Sequence, residues 1–531
     1  MTESTIVLDP THASFAPGET VADLGVTHFI GIGGAGMSVL AEMLHEEGVT
    51  VQGSDREESS KTQRLEALGI GVSIGQQAGN VAGAQTVVFS SAIKPDNPEI
   101  VAAAAAGMRI VHRSDILALL LAAKRGVTVA GAHGKTTTSA LLAHLLVHAG
   151  TGTLADPSYA IGGSIQGPDG GVMDGGHAGR GDVLVAEADE SDRSFEKYRP
   201  SIAIVTNAEP DHLDHYGDAA HYHAAFVEHV GHAQDHVIVC GDDAGARDVL
   251  AQLPAAVAAK TIVYTTGEGG DLLPASVRAS LEAVVAIEHE REAAESGAER
   301  FTVHLPAGLA GEGSAARDVP VSLAIPGIHN ARNATAAILA ATLLGMDPDA
   351  AARTAADFKG AARRFQIRGS VEGVTVVDDY AHHPTEIAAL LDAARRRYPD
   401  STLRVLFQPH LFSRTQFFAR EFAQALAKAD DVIVTCIFPA REKAEDFPGI
   451  GGQTVVDAAA GIAHEPTAWI QAVPDMCQAA KMLCMRAHRG DVLFTVGAGD
   501  VTQMATVMLR VLEAHREMHQ VHASAADAER Q

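Results

Sequence analysis

The sequence predicts an α/β protein with several domains, each built on a mainly parallel sheet. The chain has 531 residues, which is too long for a single hydrophobic core. Apolar residues make up 47% of it and aromatic residues only 5%, a composition typical of layered α/β domains rather than of a β-sandwich. Short apolar runs alternate with segments of helical periodicity, as parallel strands joined by crossover helices require.

The first alternating region begins near Val26. Strands are predicted at THFI, VTVQGSD, TVVFSSA and RIVH, and helices at SVLAEMLHEEG, KTQRLEALG and PEIVAAAAAG. The first strand and the first helix are joined by a turn that contains Gly31, Gly33, Gly34 and Gly36. Asp55 ends the next strand about twenty residues on, where a dinucleotide site places its ribose-binding acid. Taken alone, these residues favour a nicotinamide or flavin site with its diphosphate at the helix N-terminus, and a structural turn without a ligand is the alternative.

A second glycine loop lies between the strand GVTVAGA and a long apolar helix. It comprises Gly131, Ala132, His133, Gly134, Lys135, Thr136 and Thr137. Gly-Lys-Thr suits a nucleoside triphosphate, because bare amides surround the phosphates, the lysine reaches the β- and γ-oxygens, and the threonine hydroxyl binds Mg²⁺. Val129 stands where the strict phosphate loop has its first glycine. Two phosphate-binding loops on separate sheets argue against a simple dehydrogenase.

Acidic residues follow the next predicted strand, DVLVAE. They are Glu187, Asp189, Glu190 and Asp192. Carboxylates at a strand end beside a phosphate loop suit Mg²⁺, although a solvated acidic loop is an alternative in an acidic protein. His212 follows the strand SIAIV and is a second candidate metal or phosphate contact.

The remaining chain is predicted to contain an insertion, a helix and a third alternating region. Residues near 265–320 are rich in Gly, Ala and Glu, so we expect an exposed helix and loops there. HNARNATAAILAATLLG predicts the helix. The third region begins around Arg364 with strands at VTVVDDY, TLRVLFQPH, DVIVTCIF and DVLFTVGAGD. The charged, Ala-rich tail after about His515 is expected to fray.

Charge and composition exclude some classes of protein. The formal net charge of −26 argues against nucleic-acid binding through a basic face. The apolar runs are too short for a membrane span, and the N-terminal residues lack the pattern of a secretory signal. The four cysteines show no metal-binding spacing, which indicates a reducing, cytoplasmic location. The sequence allows a homodimer without requiring one.

Nine motifs together carry a resemblance to a known family. In chain order they are GIGGAGMS, GAHGKTTT, EADESDRSF, TNAEPDHLDHYGD, GIHNARNATAA, RRFQIRG, DDYAHHPTEI, FQPHLFSRT and GAGDVT. This set resembles the Mur ligases over residues 27 to 512. The resemblance implies a Rossmann-like UDP-binding domain (residues 1–123), a central ATP-binding domain with a phosphate loop and a parallel or mixed sheet (124–361), and a dinucleotide-fold-like domain that closes over them (362–531).

The resemblance also implies roles for individual residues. The first glycine loop and Asp55 would bind UDP rather than a nicotinamide cofactor. Lys135 and Thr136 would bind ATP phosphates and Mg²⁺, and Glu187 and His212 would be metal ligands. The remaining matches are Asn330 and Asn333 on the adenine side of ATP, Arg364 and Asp379 at the nucleotide, and Tyr380, His382 and Arg414 at the muramoyl group. A helix cap or ordinary surface is the alternative for the two asparagines, and the role of His383 stays open.

The implied reaction is ATP-dependent ligation of L-alanine to the muramoyl carboxylate of UDP-N-acetylmuramate through an acyl phosphate. Ligases for later amino acids carry a lysine that becomes carbamylated, whereas this chain has Phe226, which agrees with the alanine-adding members. Leu411 stands where the family often has arginine. The alternatives are a ligase that recycles a preformed peptide, an NAD-dependent oxidoreductase and a non-catalytic nucleotide-binding protein.

Overall fold

The computed structural model describes residues 6–166, 172–267, 273–290, 297–440, 442–465 and 468–528. The chain forms two compact units. The first unit contains the chain up to Glu290 together with Arg300–Leu323 and Asn330–Lys359. The second contains the chain from Gly360 onward together with Ala324–His329 and a short segment that ends at Glu299.

The first unit begins with a five-stranded sheet in the order β3-β2-β1-β4-β5, and all its pairs are parallel. Its strands are β1 (Thr27–Ile30), β2 (Val51–Asp55), β3 (Gly71–Ile74), β4 (Thr86–Phe89) and β5 (Arg109–His112). Its helices are α1 (Ala35–Glu46), α2 (Ser60–Ala67), α3 (Pro98–Ala105) and α4 (Arg113–Ala122). All four residues of β1 are buried, because this strand is central and covered on both faces. The predicted alternation of strands and helices is confirmed here.

A ten-stranded sheet follows, in the order β10-β7-β11-β6-β12-β13-β14-β15-β16-β17. Its strands are β6 (Arg125–Ala130), β7 (Ser158–Ala160), β10 (Gly176–His177), β11 (Val183–Glu187), β12 (Ile202–Val205), β13 (His236–Cys240), β14 (Thr261–Thr265), β15 (Ala283–His289), β16 (Glu299–Leu305) and β17 (Arg317–Leu323). Two short strands, β8 (Ile165–Gln166) and β9 (Val172–Met173), pair with each other. The helices are α5 (Lys135–Ala149), α6 (Leu213–Tyr216), α7 (Ala219–Gly231), α8 (Ala244–Ala251), α9 (Ala255–Ala258), α10 (Ala275–Ser280), α11 (Ile328–Leu343) and α12 (Pro348–Ala355). The strands from β7 to β15 in this order pair in parallel, which places their carboxyl ends at one edge.

The prediction of an exposed helix and loops near residues 265–320 is wrong where three strands lie. Among the described residues of this segment, α10 is the expected exposed helix. Strands β15, β16 and β17 extend the sheet, and β16 pairs antiparallel with β15. Alternate residues of β16, such as Phe301 and Val303, are buried, so the strand has the period of two that a half-buried strand requires. The Gly- and Glu-rich composition of the surrounding loops obscures this alternation.

The second unit contains a six-stranded sheet in the order β18-β19-β23-β20-β21-β22. Its strands are β18 (Gln366–Val371), β19 (Val374–Asp379), β20 (Leu403–Phe407), β21 (Asp431–Val434), β22 (Ile470–Ala472) and β23 (Val492–Val496). Its helices are α13 (Pro384–Arg397), α14 (Phe412–Phe417), α15 (Ala419–Leu426), α16 (Gly452–Ala458), α17 (Met476–Arg486) and α18 (Gln503–Ala528). Only β18 runs antiparallel, as the first strand of a hairpin with β19. Helix α18 extends past His515 as far as Ala528, and fraying of the tail stays a prediction.

No helix among the described residues is both long enough and apolar enough to cross a membrane. Polar residues of the predicted sites follow the carboxyl ends of β1, β6, β11, β12 and β19. In each open parallel sheet, the carboxyl ends of the strands form the edge where ligands bind.

Candidate functional site

The second glycine loop is a turn between β6 and α5 that neighbouring strand ends hold in place. Gly134 has φ +83°, a left-handed conformation that favours glycine. A Cβ atom there would lie 2.7 Å from Asn333 Oδ1, so a larger residue would also collide with α11. The His133 amide donates to Asn207 Oδ1 at 3.1 Å, and its carbonyl accepts from Thr206 Oγ1 at 2.6 Å. These contacts fix the backbone that leads into α5.

Lys135 lies at the start of α5, and its ammonium is bound by a carboxylate and the loop. Nζ donates to Glu190 Oε2 at 2.8 Å and to the Gly131 carbonyl at 2.5 Å. Desolvation alone would lower the pKa of Lys135, but the charges of Glu190, Asp189 and Glu187 together raise it above its usual value. The lysine is therefore charged, as a phosphate ligand must be. Burial is the main cause that raises the pKa of Glu190.

The two predicted metal-binding side chains from neighbouring strand ends lie near this pair. Glu187 ends β11, and its Oε2 lies 3.2 Å from the position of a Cβ atom on Gly162. His212 precedes α6 with φ +53°, an uncommon conformation for a residue other than glycine, and the Tyr216 hydroxyl of α6 donates to the Glu190 carbonyl at 2.5 Å. Thr136 lies in the first turn of α5, and Thr137 is buried behind it. The structure therefore brings the predicted hydroxyl, carboxylate and imidazole groups to one edge of the sheet.

Asn330 and Asn333 lie on one face of α11 and are both buried. Asn333 Nδ2 donates to Asn330 Oδ1 at 3.4 Å. Because Asn333 Oδ1 lies against Gly134, this helix face contacts the phosphate loop itself. Because both side chains are buried, neither asparagine is an ordinary surface residue. Their contact with the adenine side of ATP stays a prediction.

The first glycine loop uses most of its own amides within the protein. Gly31 and Ile32 both donate to the Ser54 carbonyl at 2.8 Å, and Gly34 donates to the Gly31 carbonyl at 3.1 Å. Gly33 donates to Asp55 Oδ2 at 2.8 Å. Asp55 therefore holds the loop in place. Any anion at this loop must then rely on the first turn of α1, including the amide of Gly36, since helix N-termini leave such donors without intrahelical acceptors.

In the second unit, Asp379 ends β19 as a buried acceptor. It accepts from the amides of Phe365 at 2.7 Å and Ala381 at 2.8 Å. Burial raises the pKa of Asp379 to about 6, although the charge of Arg364 opposes that shift. Arg364 lies over the ring of Tyr380 at 5.1 Å and pairs with Glu386 at 3.4 Å. The structure thus brings three of the predicted residues of this unit together.

His382 and Arg414 extend this group. The His382 ring packs edge-on against Tyr380 at 5.3 Å, and its Nδ1 lies 3.2 Å from the Tyr380 carbonyl. Burial lowers the pKa of His382 to about 3, and the charge of Arg414 acts in the same direction. His382 is therefore neutral near pH 7. Arg414 lies on α14, just after Leu411, whose φ of +67° makes a turn that an L-residue rarely adopts.

Sequence reasoning missed several contacts around the predicted sites. Glu190 was recognised only as a member of the acidic cluster, and its pairing with a lysine 55 positions earlier has no local signal. Arg363 donates to the carbonyls of Gly497 at 2.5 Å and Gly499 at 3.1 Å, which connects two of the motifs. Arg113 donates to Asp189 at 2.6 Å and has no motif of its own.

Phe226 lies on the buried face of α7. It is fully buried, packs edge-on against Phe195 at 5.1 Å and contacts Tyr222 at 5.1 Å. The ring is therefore part of the core of the first unit.

Comparisons with known proteins agree with this arrangement. Three family sequence models match: "Mur ligase family, catalytic domain" at residues 26–125, "Mur ligase middle domain" at 129–341, and "Mur ligase, glutamate ligase domain" at 363–499. The chain is 70% identical to UDP-N-acetylmuramate–L-alanine ligase of Bifidobacterium adolescentis over 96% of this chain and 97% of that protein.

Two solved structures are also similar. UDP-N-acetylmuramate-alanine ligase from Thermotoga maritima is 28% identical with a TM-score of 0.71, over 92% of this chain and 99% of that one. A murein peptide ligase from Psychrobacter arcticus is 25% identical with a TM-score of 0.63, over 92% of this chain and 98% of that one. The strand-end residues, the three-domain match and these relatives lead to one conclusion: the chain belongs to the Mur ligase family.

Proposed function

We propose that this enzyme joins L-alanine to the muramoyl carboxylate of UDP-N-acetylmuramate, with conversion of ATP to ADP and phosphate, in the synthesis of peptidoglycan precursors. The observation that carries the proposal is 70% identity, over almost the whole chain, to a relative named for this activity. The charged lysine in a glycine loop at a sheet edge supports the ATP-dependent step. An oxidoreductase would leave this loop without a role.

The residues around the second glycine loop fit ATP and a divalent cation. Lys135 supplies a buried positive charge, and Glu187 Oε1 is a buried carboxylate oxygen at the end of β11. Thr136, Glu187 and His212 would hold Mg²⁺, and the amides of Gly131 to Thr137 would surround the phosphates. Bound Mg²⁺ would neutralise charge on the transferred phosphoryl group.

The chain's own residues then act mainly by position and charge. Lys135 stabilises the negative charge of the γ-phosphoryl group while the muramoyl carboxylate attacks its phosphorus and ADP leaves, which forms the acyl phosphate. The neutral amine of L-alanine then attacks the acyl carbon, phosphate leaves, the nitrogen gives up a proton to solvent, and the amide bond forms. In the second unit, Arg364 and Asp379 would contact the nucleotide, whereas Tyr380, neutral His382 and Arg414 would contact the muramoyl group.

Release of phosphate by the purified chain tests this proposal. The assay contains Mg²⁺, ATP and UDP-N-acetylmuramate, with either L-alanine or the peptide that a recycling ligase would use. Release that requires both the UDP-sugar and L-alanine is the expected result. Release only with the peptide would assign the recycling reaction, which the similarity to a murein peptide ligase makes the second candidate. Absence of release with either would overturn both.

A further inference from the structure

Arg113 lies between the first glycine loop and the acidic strand end of the first unit. It begins α4, and its Nη2 donates to Asp189 Oδ2 at 2.6 Å. Its Nη1 lies 3.1 Å from the position that a Cβ atom on Gly36 would occupy. The guanidinium therefore touches the first turn of α1. Its side chain is 20% exposed, so it is reachable from solvent but mostly shielded from it.

The Arg113 guanidinium has more N–H donors than its bond to Asp189 uses, whereas most amides of the first glycine loop already donate within the protein. Arg carries five N–H donors, and among the described residues the recorded acceptor for Arg113 is Asp189. By contrast, the amides of Gly31, Ile32, Gly33 and Gly34 already donate within the protein. A diphosphate at this turn would therefore find helix-terminal amides and one adjacent arginine.

Asp189 connects this arginine with the second glycine loop. The other oxygen of Asp189, Oδ1, accepts from the Ser191 amide at 3.1 Å. Its neighbour Glu190 pairs with Lys135 at 2.8 Å. Two adjacent carboxylates thus contact the cations beside both loops, and Asp189 holds Arg113 in a fixed orientation through a charge-assisted hydrogen bond.

We propose that Arg113 binds the diphosphate of the UDP-sugar and that Asp189 is the residue that positions it. The inference rests on the proposed function, because it requires UDP at the first glycine loop. The planar guanidinium can donate two parallel bonds to phosphate oxygens while Nη2 keeps its bond to Asp189, which lysine in the same place could not do.

Calorimetric binding of UDP and of UMP to the full chain tests the inference, with Arg113→Ala, Arg113→Lys and Asp189→Asn as variants. A cation that contacts the second phosphate gives the wild type a preference for UDP over UMP. We expect Arg113→Ala to weaken UDP binding by roughly 10- to 100-fold and to remove most of that preference, since charged hydrogen bonds are lost. Arg113→Lys should lose less.

Asp189→Asn tests the positioning role. It keeps the arginine charge but replaces the charged bond that orients Arg113 by a neutral one, so UDP affinity should fall by roughly threefold, less than in Arg113→Ala. Arg64→Ala is the matched control, because Arg64 lies in the same unit and pairs with Glu42 at 2.6 Å. It should leave UDP binding unchanged.

Three outcomes would overturn the inference. Equal loss of UDP binding in Arg113→Ala and Asp189→Asn would show that the ion pair acts only through structure. If Arg113→Ala bound UDP normally but UDP-N-acetylmuramate more weakly, the arginine would be assigned to the muramoyl carboxylate of the substrate instead. Unchanged binding of both would leave Arg113 without a substrate role, while a wild type that still releases phosphate with L-alanine would keep the proposed function intact.

Discussion

Lys135 and Glu190 form an ion pair beside the second glycine loop, with Nζ 2.8 Å from Oε2. The charges of Glu190 and its acidic neighbours offset the desolvation of Lys135, so the loop keeps a charged lysine in a largely buried place. Phosphate oxygens offer the same negative charge as the Glu190 carboxylate. A bound nucleotide can therefore share or replace this partner without leaving the ammonium unpaired.

Replacement of Lys135 by alanine should lower the turnover number by several orders of magnitude, because the transferred phosphoryl group loses its fixed cation. The measurement is phosphate release at saturating ATP, UDP-N-acetylmuramate and L-alanine. Lys124→Ala is the control, because Lys124 lies outside the glycine loop. Its Nζ donates to the carbonyl of Gly181, and the two atoms are 2.8 Å apart. The double variant Lys135→Ala, Glu190→Gln removes the unpaired buried charge and should remain inactive. A near-normal rate in Lys135→Ala would contradict the assignment.

Asp379 predicts a pH dependence of stability. Its pKa of about 6 in the folded chain lies above the ordinary value of 3.8, so the folded state binds a proton more tightly than the unfolded state. Its contribution is complete below about pH 4 and is lost as the pH rises through about 6. Relative to Asp379→Asn, the free energy of unfolding of the wild type should fall over this range. Urea unfolding between pH 4 and 7 measures it, and parallel curves for the two proteins would refute it.

Single residues also show how far the sequence leads. Lys135 was predicted because Gly-Lys-Thr is a local pattern with a known physical use. The pairings of Glu190 with Lys135 and of Arg113 with Asp189 were not, because each joins residues far apart in the chain, and only the fold brings them together.

For whole helices and strands, as for single residues, local patterns were predictable from the sequence and contacts between distant segments were not. Strand, glycine turn and apolar helix follow from periodicity, so β6 and α5 were predicted together with their turn. The packing of α11 against this turn was not predictable, because Asn333 reaches Gly134 only through the tertiary fold. Strands β15 to β17 were missed because the loops between them are rich in residues that disfavour strands.

Gly134→Ala tests how these elements fit. The substitution combines a strained φ of +83° with a collision at Asn333. We expect it to destabilise the chain by more than the roughly 1–2 kcal/mol of strain alone and to weaken ATP binding. Gly152→Ala is the matched control, because its φ is +59° and its Cβ would meet nothing within 4 Å. Thermal unfolding and ATP titration give both quantities, and equal effects of the two substitutions would argue against the collision.

The whole molecule consists of two compact units, and the first contains both glycine loops. Its net charge of −26 means that anionic substrates depend on local cations such as Lys135 rather than on the overall field. Three family models match in the order that the resemblance implied, whereas the bounds of the three predicted domains stay a prediction.

Nucleotide binding should raise the stability of the entire chain. A non-hydrolysable ATP analogue with Mg²⁺ at 100 times its dissociation constant is expected to add about 2.7 kcal/mol to the free energy of unfolding, because it binds only the folded state. Denaturant unfolding with and without the analogue measures the effect. Lys135→Ala should show a much smaller increase at the same concentration, and an equal increase in both would contradict the role of the lysine.

The buried ring of Phe226 has a consequence for the conditions under which the enzyme works. A lysine at this place could capture dissolved carbon dioxide, and its activity would then depend on bicarbonate. A phenyl ring packed against Phe195 and Tyr222 has no such chemistry. The rate of phosphate release should therefore be the same in degassed buffer as in buffer equilibrated with carbon dioxide.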